Sequence, residues 1–434
     1  MKGQTTTLAE RIEIGERWQA GENDQQIANA LQRPVATIRK WRRRNEHVGR
    51  AGLSSQMGRP ATGALGQFSG EISDEVFQMR RDHAGWGART ILVELKKDVR
   101  FAKLRLPGRS QIAEYLKEKD LVRKYERHYE LPEPKRKSVE RPHQEWEVDA
   151  QGKICLDGLG SVSIINIDDV FSSLKIESLP CPGTTHANTQ DYQLVLRRAF
   201  VRYGLPEQIS FDHDSVFYDN QTASPFPTKL HLWLIGLGIE VRFIHQRPPI
   251  EHARIERTHQ IIEQQALLGQ TFSNISDVQK MLTARITFLN TDYPSRASNG
   301  QPPLTAYPQA HHSQRPYRLE WEKELLDLQP IYHYLAKGRW FRLTSSVGMF
   351  TLGDQRYNAS TKFARQTLEI TFDPLACELV CLPEKATQPF RLAVKGLTKE
   401  VFIGELDPLT TLPAYQLQLP FSRQAWREIA FATS

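Results

Sequence analysis

The hydrophobic positions change period along the chain. Between residues 7 and 44 they recur at helical spacing: Leu8, Ile12, Ile14 and Trp18 before Gly21, then Ile27, Ala28 and Leu31 after Asp24, then Ile38 and Trp41 after Pro34. Apolar residues three or four apart share one helix face, and Gly21, Asp24 and Pro34 are stop and start signals. Three short helices in a helix-turn-helix layout are therefore predicted over residues 1–48. Residues 49–70 are rich in Gly, Ser, Ala and Pro without a period and read as a linker. Helical spacing returns from Ser73 to Arg81, from Arg89 to Lys96 and from Ser110 to Lys119, predicting a second helical module over 71–125. A charged, Pro-containing connector, 126–143, follows.

From Gln144 the pattern is that of strands. Runs at 144–149, 162–167 and 174–179, separated by turn signals, predict an antiparallel meander. A helix over 191–203, a strand over 207–212, a helix over 230–237, a strand over 239–244 and a helix over 251–268 come next. Three strands followed by alternating helix and strand is the order of a ribonuclease-H-like α/β fold. An amphipathic helix over 278–289 leads to the end of this domain at residue 310. After a connector, 311–331, short strands at 340–343, 348–352, 355–358, 368–374 and 379–382 predict a small β-barrel over 332–406, with a tail over 407–434. The expected architecture is multidomain: N-terminal all-α helix-turn-helix modules, a central ribonuclease-H-like α/β domain and a C-terminal small β-barrel.

At 434 residues the chain exceeds what one ordinary core holds, which agrees with that division. The net charge of +7 is uneven: residues 1–143 carry 29 Lys and Arg against 19 Asp and Glu, the remainder 28 against 31. A basic N-terminal third favours a polyanionic partner. Arg39, Lys40, Arg42, Arg43 and Arg44 on the third helix are expected to point outward to phosphates and groove edges. Arg50 and Arg59 in the linker and Arg89 and Arg109 in the second module extend the set of expected DNA contacts. The four cysteines, Cys155, Cys181, Cys377 and Cys381, are scattered, which points to free thiols in a reducing compartment. No apolar run approaches the roughly 18 residues of a membrane span. The expectation is a cytoplasmic, nucleoid-associated protein without a membrane partner.

Three carboxylates stand out against this background. Asp149 lies in Trp146-Glu147-Val148-Asp149, Asp212 ends Ile209-Ser210-Phe211-Asp212, and Glu256 opens the helix that follows Arg247-Pro248-Pro249. Two strand-borne carboxylates and one helix-borne carboxylate can meet at a sheet edge and hold a pair of hard divalent cations through oxygen. Asp149 is expected to bridge both ions, Asp212 to bind one and Glu256 the other. Asp168 and Asp169 are expected to shape a turn, and Glu147, Glu251 and Glu263 to be solvated. Arg257, His259, His245 and Arg247 are candidates for the DNA backbone.

The blocks Trp146–Asp149, Ile167-Asp168-Asp169, Phe211–Phe217 and Gly238–His259 together resemble the catalytic core of DDE transposases of bacterial insertion sequences, relatives of retroviral integrases. The similarity spans residues 140–310, and the flanking modules match loosely, the C-terminal strands being similar to the barrel of phage Mu-type transposases. The resemblance implies a catalytic triad at Asp149, Asp212 and Glu256 using Mg²⁺ or Mn²⁺, two ions per active site. It implies cleavage at the 3′ ends of a mobile element and strand transfer into target DNA. The implied partners are the double-stranded DNA of element ends and target, a homo-oligomer on that DNA, and a helper ATPase as an optional one. The chain departs from the pattern in two places. His213-Asp214 stands where relatives carry Asn-Gly, which makes Asp214 a rival ligand. The 43 residues between Asp212 and Glu256 form a longer interval than is usual, with an extra loop expected over Asp219–Lys229. A sequence-specific DNA-binding protein with an inactive core and a ribonuclease acting on hybrids stay open as alternatives.

Overall fold

The computed structural model describes residues 6–54, 63–122, 139–156, 159–182, 187–212, 216–217, 219, 224–244 and 253–404. Arg59, His213, Asp214, His245, Arg247 and Glu251 lie outside the described residues, as do the tail over 407–434 and parts of the connector over 126–143 and the loop over 219–229. By its contacts the chain divides into residues 1–74 with 105–122, and 75–104 with 123–434.

In the first unit, local signals set the helix ends. Thr7 accepts from the Glu10 amide while the Glu10 carboxylate accepts from the Thr7 amide, a reciprocal cap that starts α1 (Leu8–Gln19). Asn23 and Gln26 repeat the device at α2 (Asp24–Leu31), so the cap is Asn23 and Asp24 is the first helical residue. Pro34 precedes α3 (Val35–Val48). Ile14, Ile27, Ile38 and Trp41 form the core that the periodicity implies. Leu53 joins them from a 3₁₀ turn over Gly49–Leu53, so the first residues of the expected linker are folded. Gly and Ser content cannot reveal that one leucine is buried at a distance.

Further helices are α4 (Gly70–Asp82), α5 (Ala88–Lys97) and α6 (Arg109–Glu118). The expected second module is not one body: the division falls within α4, α6 belongs with the N-terminal helices, and α5 belongs with the larger unit. Trp86 Nε1 donates to Gln265 O at 3.2 Å, and the Arg285 guanidinium lies 4.5 Å from the Trp86 ring centroid. A Cβ at Gly85 would overlap the Gln264 carbonyl, so only glycine lets these segments approach.

The larger unit is built on β1 (Glu145–Leu156), β2 (Gly160–Asp169) and β3 (Lys175–Pro182), followed by α7 (Thr189–Tyr203), β4 (Gln208–Phe211), α8 (Lys229–Gly236), β5 (Glu240–Phe243), α9 (Ala253–Ile262) and α10 (Ile275–Thr291). The sheet order is β3-β2-β1-β4-β5. The first three strands pair antiparallel, as the sequence predicts, and β4 and β5 run parallel to β1. One sheet face is apolar, with Trp146, Val148, Ile165, Ile167, Ile209 and Phe211 packed with α7 and α8. The other face is covered by α9 and α10.

Short helices α11 (Pro303–Ala306), α12 (Glu322–Leu325) and α13 (Leu328–Ala336) lead to the C-terminal strands. The strands are β6 (Trp340–Leu343), β7 (Met349–Leu352), β8 (Gln355–Asn358), β9 (Thr367–Asp373), β10 (Glu378–Pro383) and β11 (Phe390–Ala393), with α14 (Lys399–Ile403) after them. They do not close into the expected barrel among the described residues: β11-β10-β9-β6 form an open four-stranded sheet and β7-β8 a separate hairpin. Nor does β structure begin at Tyr332, which lies in α13. Trp340, Leu368 and Ile370 share one buried cluster with Trp146 and Trp233, so this sheet shares the central core. All four cysteines are free thiols, and among the described residues no helix is long and apolar enough to cross a membrane.

Candidate catalytic face and nucleic-acid interface

The site grows out of strand alternation. Successive side chains on β1 point to opposite faces. With Trp146 and Val148 in the apolar core, Glu145, Glu147 and Asp149 therefore face the other way. The antiparallel register pairs Glu147 with Asp168 and Asp149 with Asn166, which puts Asn166 and Asp168 on that same face. The parallel register pairs Glu147 with Ser210. That pairing ends two residues before Asp149, and Asp212 directly follows β4.

Around Glu147 and Asp168 this face is polar and buried. Glu147, Asn166, Asp168, Ser178 and Ser210 are each at most 1% exposed. Glu147 is thus not solvated as its charge alone suggests. Ser210 Oγ donates to Glu145 Oε1 at 2.6 Å, and Ser178 Oγ bonds to Asn166 Oδ1. Burying carboxylates costs free energy that Val or Ile would not, which makes this face a candidate functional site. Asp169, on the opposite side, has the expected turn-forming role. Its carboxylate accepts from the His143 and Ser172 amides at 2.6 and 2.7 Å, and burial pushes its pKa up to about 6.

The third acidic residue arrives on α9, which packs on β1 and β2. Lys175 Nζ and Thr258 Oγ1 both bond to Asp168 Oδ2. His259 Nε2 lies 3.8 Å from Asp149 Oδ2. Glu256 is therefore on a helix covering the face that carries Asp149, and its own side chain is exposed. Burial lowers the His259 pKa; the carboxylates of Asp168 and Glu256 act against this, and Lys175 adds to it. His259 is turned into the site, while Arg257 is exposed and donates to Gln260 at 2.9 Å.

The donor chemistry at Asp149, Asp212 and Glu256 is all oxygen, which suits Mg²⁺ or Mn²⁺. Among the described residues no three acidic, His or Cys side chains are gathered closely enough to hold an ion. Three carboxylates at ligation distance repel one another, so the gathered arrangement is one that a cation must stabilise.

In the first unit, the basic residues of α3 divide by surroundings. Arg42 does not point outward: its Nε is 2.7 Å from Asp24, its Nη1 2.8 Å from Glu46, and its guanidinium 4.1 Å from the Trp18 ring. Arg39 is exposed, 3.4 Å from Asp24; Lys40 and Arg44 lie near the Trp41 ring; Arg43 is exposed. Arg50 is exposed and paired with Glu16 at 3.0 Å, and Arg109 is exposed at the start of α6. In the larger unit, Arg89 is half-buried and donates to Pro294 O at 2.8 Å.

Asp168, Lys175 and Thr258 have no part in the sequence-based site. The available signal was Ile164-Ile165-Asn166-Ile167-Asp168, where polar residues alternate with isoleucines in an otherwise apolar strand.

No family model matches the chain. Among solved structures it is similar to the catalytic core domain of BIV integrase, at 16% identity over 39% of this chain and 95% of that one, with a TM-score of 0.30. It is similar to a chain of the simian T-cell lymphotropic virus intasome in complex with the PP2A regulatory subunit B56 gamma, at 12% identity over 74% and 96%, TM-score 0.33. The HTLV-2 integrase catalytic core domain in complex with magnesium is similar at 14% identity over 38% and 97%, TM-score 0.29. These neighbours are retroviral integrases rather than the bacterial transposases that the motifs resemble.

Proposed function

We propose that this chain is a DNA transposase that binds the terminal repeats of a mobile element, cleaves at its 3′ ends and transfers those ends into target DNA. The observation that supports the reading is that Asp149 lies on β1, which pairs with β4, and that Asp212 directly follows β4, with α9 bringing His259 to 3.8 Å from Asp149. Exposed Arg39, Lys40 and Arg43 on α3 support DNA binding by the N-terminal helices in a helix-turn-helix manner. Asp149, Asp212 and Glu256 are the residues that would hold divalent ions. Such ions, when bound, stabilise charge at phosphorus and on the attacking and leaving oxygens.

The chain's own groups do the rest. Asp149 Oδ1 accepts from the Ala150 amide at 2.8 Å, and its Oδ2 lies 3.8 Å from His259 Nε2. Burial lowers the His259 pKa, which disfavours a competing positive charge beside Asp149. Arg257, next to Glu256, offers an exposed cation to the phosphate backbone. In the first reaction water attacks phosphorus and the element's 3′ oxygen leaves as a hydroxyl. In the second, that hydroxyl attacks a target phosphodiester and displaces the target's 3′ oxygen. Two ends must be joined together, so the working form is a homo-oligomer on DNA.

The test uses the full chain, Mg²⁺ or Mn²⁺ and duplexes carrying the inverted repeats that flank its coding region. Asp149→Asn, Asp212→Asn and Glu256→Gln should each reduce cleavage by on the order of 1,000-fold or more while leaving repeat binding intact. An Asp149→Asn variant that cuts and joins at the wild-type rate would refute the proposal. A second reading is a repeat-binding protein without catalysis. It requires tight binding and no cleavage by the wild type with either metal. Stronger cleavage of RNA–DNA hybrids than of duplex ends would instead point to a ribonuclease.

A further inference from the structure

Helix α9 has an inward seam at Ile255, Thr258 and Ile262, spaced three and four apart and each at most 1% exposed. A polar residue sits in the middle of this seam, where valine has almost the same shape and would bury without needing a partner. Thr258 finds partners on the sheet: Lys175 Nζ donates to its Oγ1 at 2.5 Å, and its hydroxyl bonds to Asp168 Oδ2, which also takes Lys175 Nζ at 2.7 Å. Lys175 is itself held, its amide donating to Asn290 Oδ1 at 2.9 Å and its carbonyl accepting from Asn290 Nδ2 at 2.8 Å. One turn earlier, Arg254 Nη1 donates to Ser173 Oγ at 2.8 Å, between β2 and β3.

Helix α9 packs on β1 and β2, and packing of a buried face supplies most helical stability in proteins, so tertiary contacts set its position. Ile255 and Ile262 would tolerate a small slide, because apolar contact is not directional. Charge-assisted hydrogen bonds are short and angle-dependent and do not. At 100° per residue, Glu256 lies about 200° around the helix from Thr258, on the exposed side. Fixing Thr258 therefore fixes where Glu256 projects.

We infer that the Asp168–Lys175–Thr258 contact is a positioning lock that sets the register of α9, and with it Glu256, against the catalytic face. The three are positioning residues and take no part in bond making. What Glu256 does rests on the strand-transfer reading; the lock does not.

Hydrogen–deuterium exchange and Mn²⁺ titration calorimetry on the full-length wild type, Thr258→Val and Thr258→Ser test it. In the wild type, amides over residues 256–262 should exchange as slowly as those of β2. In Thr258→Val they should exchange about tenfold faster, with α10 unchanged. Mn²⁺ affinity should fall with them, and Thr258→Ser should behave as wild type. Where repeat DNA is cleaved, kcat in Thr258→Val should fall on the order of 100-fold with KM for DNA unchanged. Unchanged α9 exchange with unchanged Mn²⁺ affinity in Thr258→Val overturns the lock. Should that variant fail to fold, fast α9 exchange in the wild type or in Thr258→Ser overturns it equally. A wild type that cleaves no DNA counts against the strand-transfer reading alone, since exchange still decides the lock.

Discussion

His143, just before β1, shows how surroundings hold one side chain to a single protonation state. Its Nδ1 accepts from Trp146 Nε1 at 3.1 Å, so the ring proton sits on Nε2 and is donated to Ala310 O at 3.0 Å. A second proton would break the Trp146 bond inside a closed core, and burial lowers the pKa to about 4. His231, ringed by Phe243 and Tyr334, and His312 are likewise pushed down to about 4 by burial. In the unfolded chain these rings titrate near 6.5, so between about pH 6.5 and 4 the unfolded state binds more protons and acid destabilises the fold. Asp169, raised to about 6, works oppositely, since below that pH the native chain keeps a proton that the unfolded chain releases. One carboxyl does not offset three imidazoles. The expected loss from pH 7 to 4 is on the order of 2 kcal/mol for each of His143 and His231. Tm should fall steadily by calorimetry across that range, and less so in His143→Gln, whose amide can accept from Trp146 and cannot become charged. A flat profile would count against this account.

At the scale of one element, α3 carries arginines in two settings that sequence spacing does not separate. Arg42 and Arg43 are adjacent and chemically identical, yet Arg42 ties α3 to Asp24 at the start of α2 while Arg43 is exposed. Arg42→Ala should therefore lower the stability of the N-terminal helices by about 1 kcal/mol, visible as an earlier thermal transition. Arg43→Ala should leave that transition in place. It should weaken DNA binding and reduce the slope of log affinity against log salt by about one, by fluorescence anisotropy at several ionic strengths. Equal effects of the two substitutions on the salt slope would contradict this division. The helix itself was readable from Ile38, Trp41 and Pro34. Which arginine faces inward was not, because Asp24 and Glu46 select their partner by geometry.

At the scale of the larger unit, a buried ionic network ties the central helices to the C-terminal segment. Arg197 on α7 pairs with Glu322 on α12 at 2.6 Å and donates to Ile403 O on α14 at 2.7 Å. Glu322 also accepts from Trp233 Nε1 on α8 at 2.8 Å and bonds to Tyr317. Both charged side chains are at most 1% exposed. Arg197→Met would leave Glu322 buried without its cation and should cost about 3–5 kcal/mol in chemical denaturation. Adding Glu322→Leu should restore a substantial part of that loss, because the unpaired charge is then removed as well. A double variant no more stable than the single would show that packing, rather than the charge, is what the pair provides.

The sequence by itself determined the elements and much of their pairing: the helical periods of α1 to α3, the alternation of β1 to β3, and the order of strands and helices after them. It also nominated Asp149, Asp212 and Glu256 as candidates, from their local settings and from the resemblance of the blocks around them. Tertiary structure alone decided that Glu147 and Asp168 are buried, that α5 belongs with the larger unit, and that the C-terminal strands form an open sheet sharing the central core. It alone decided that Thr258 and Lys175 meet over Asp168. Those contacts join residues far apart in the chain, and whether a polar group is solvated, paired or locked depends on what folds over it.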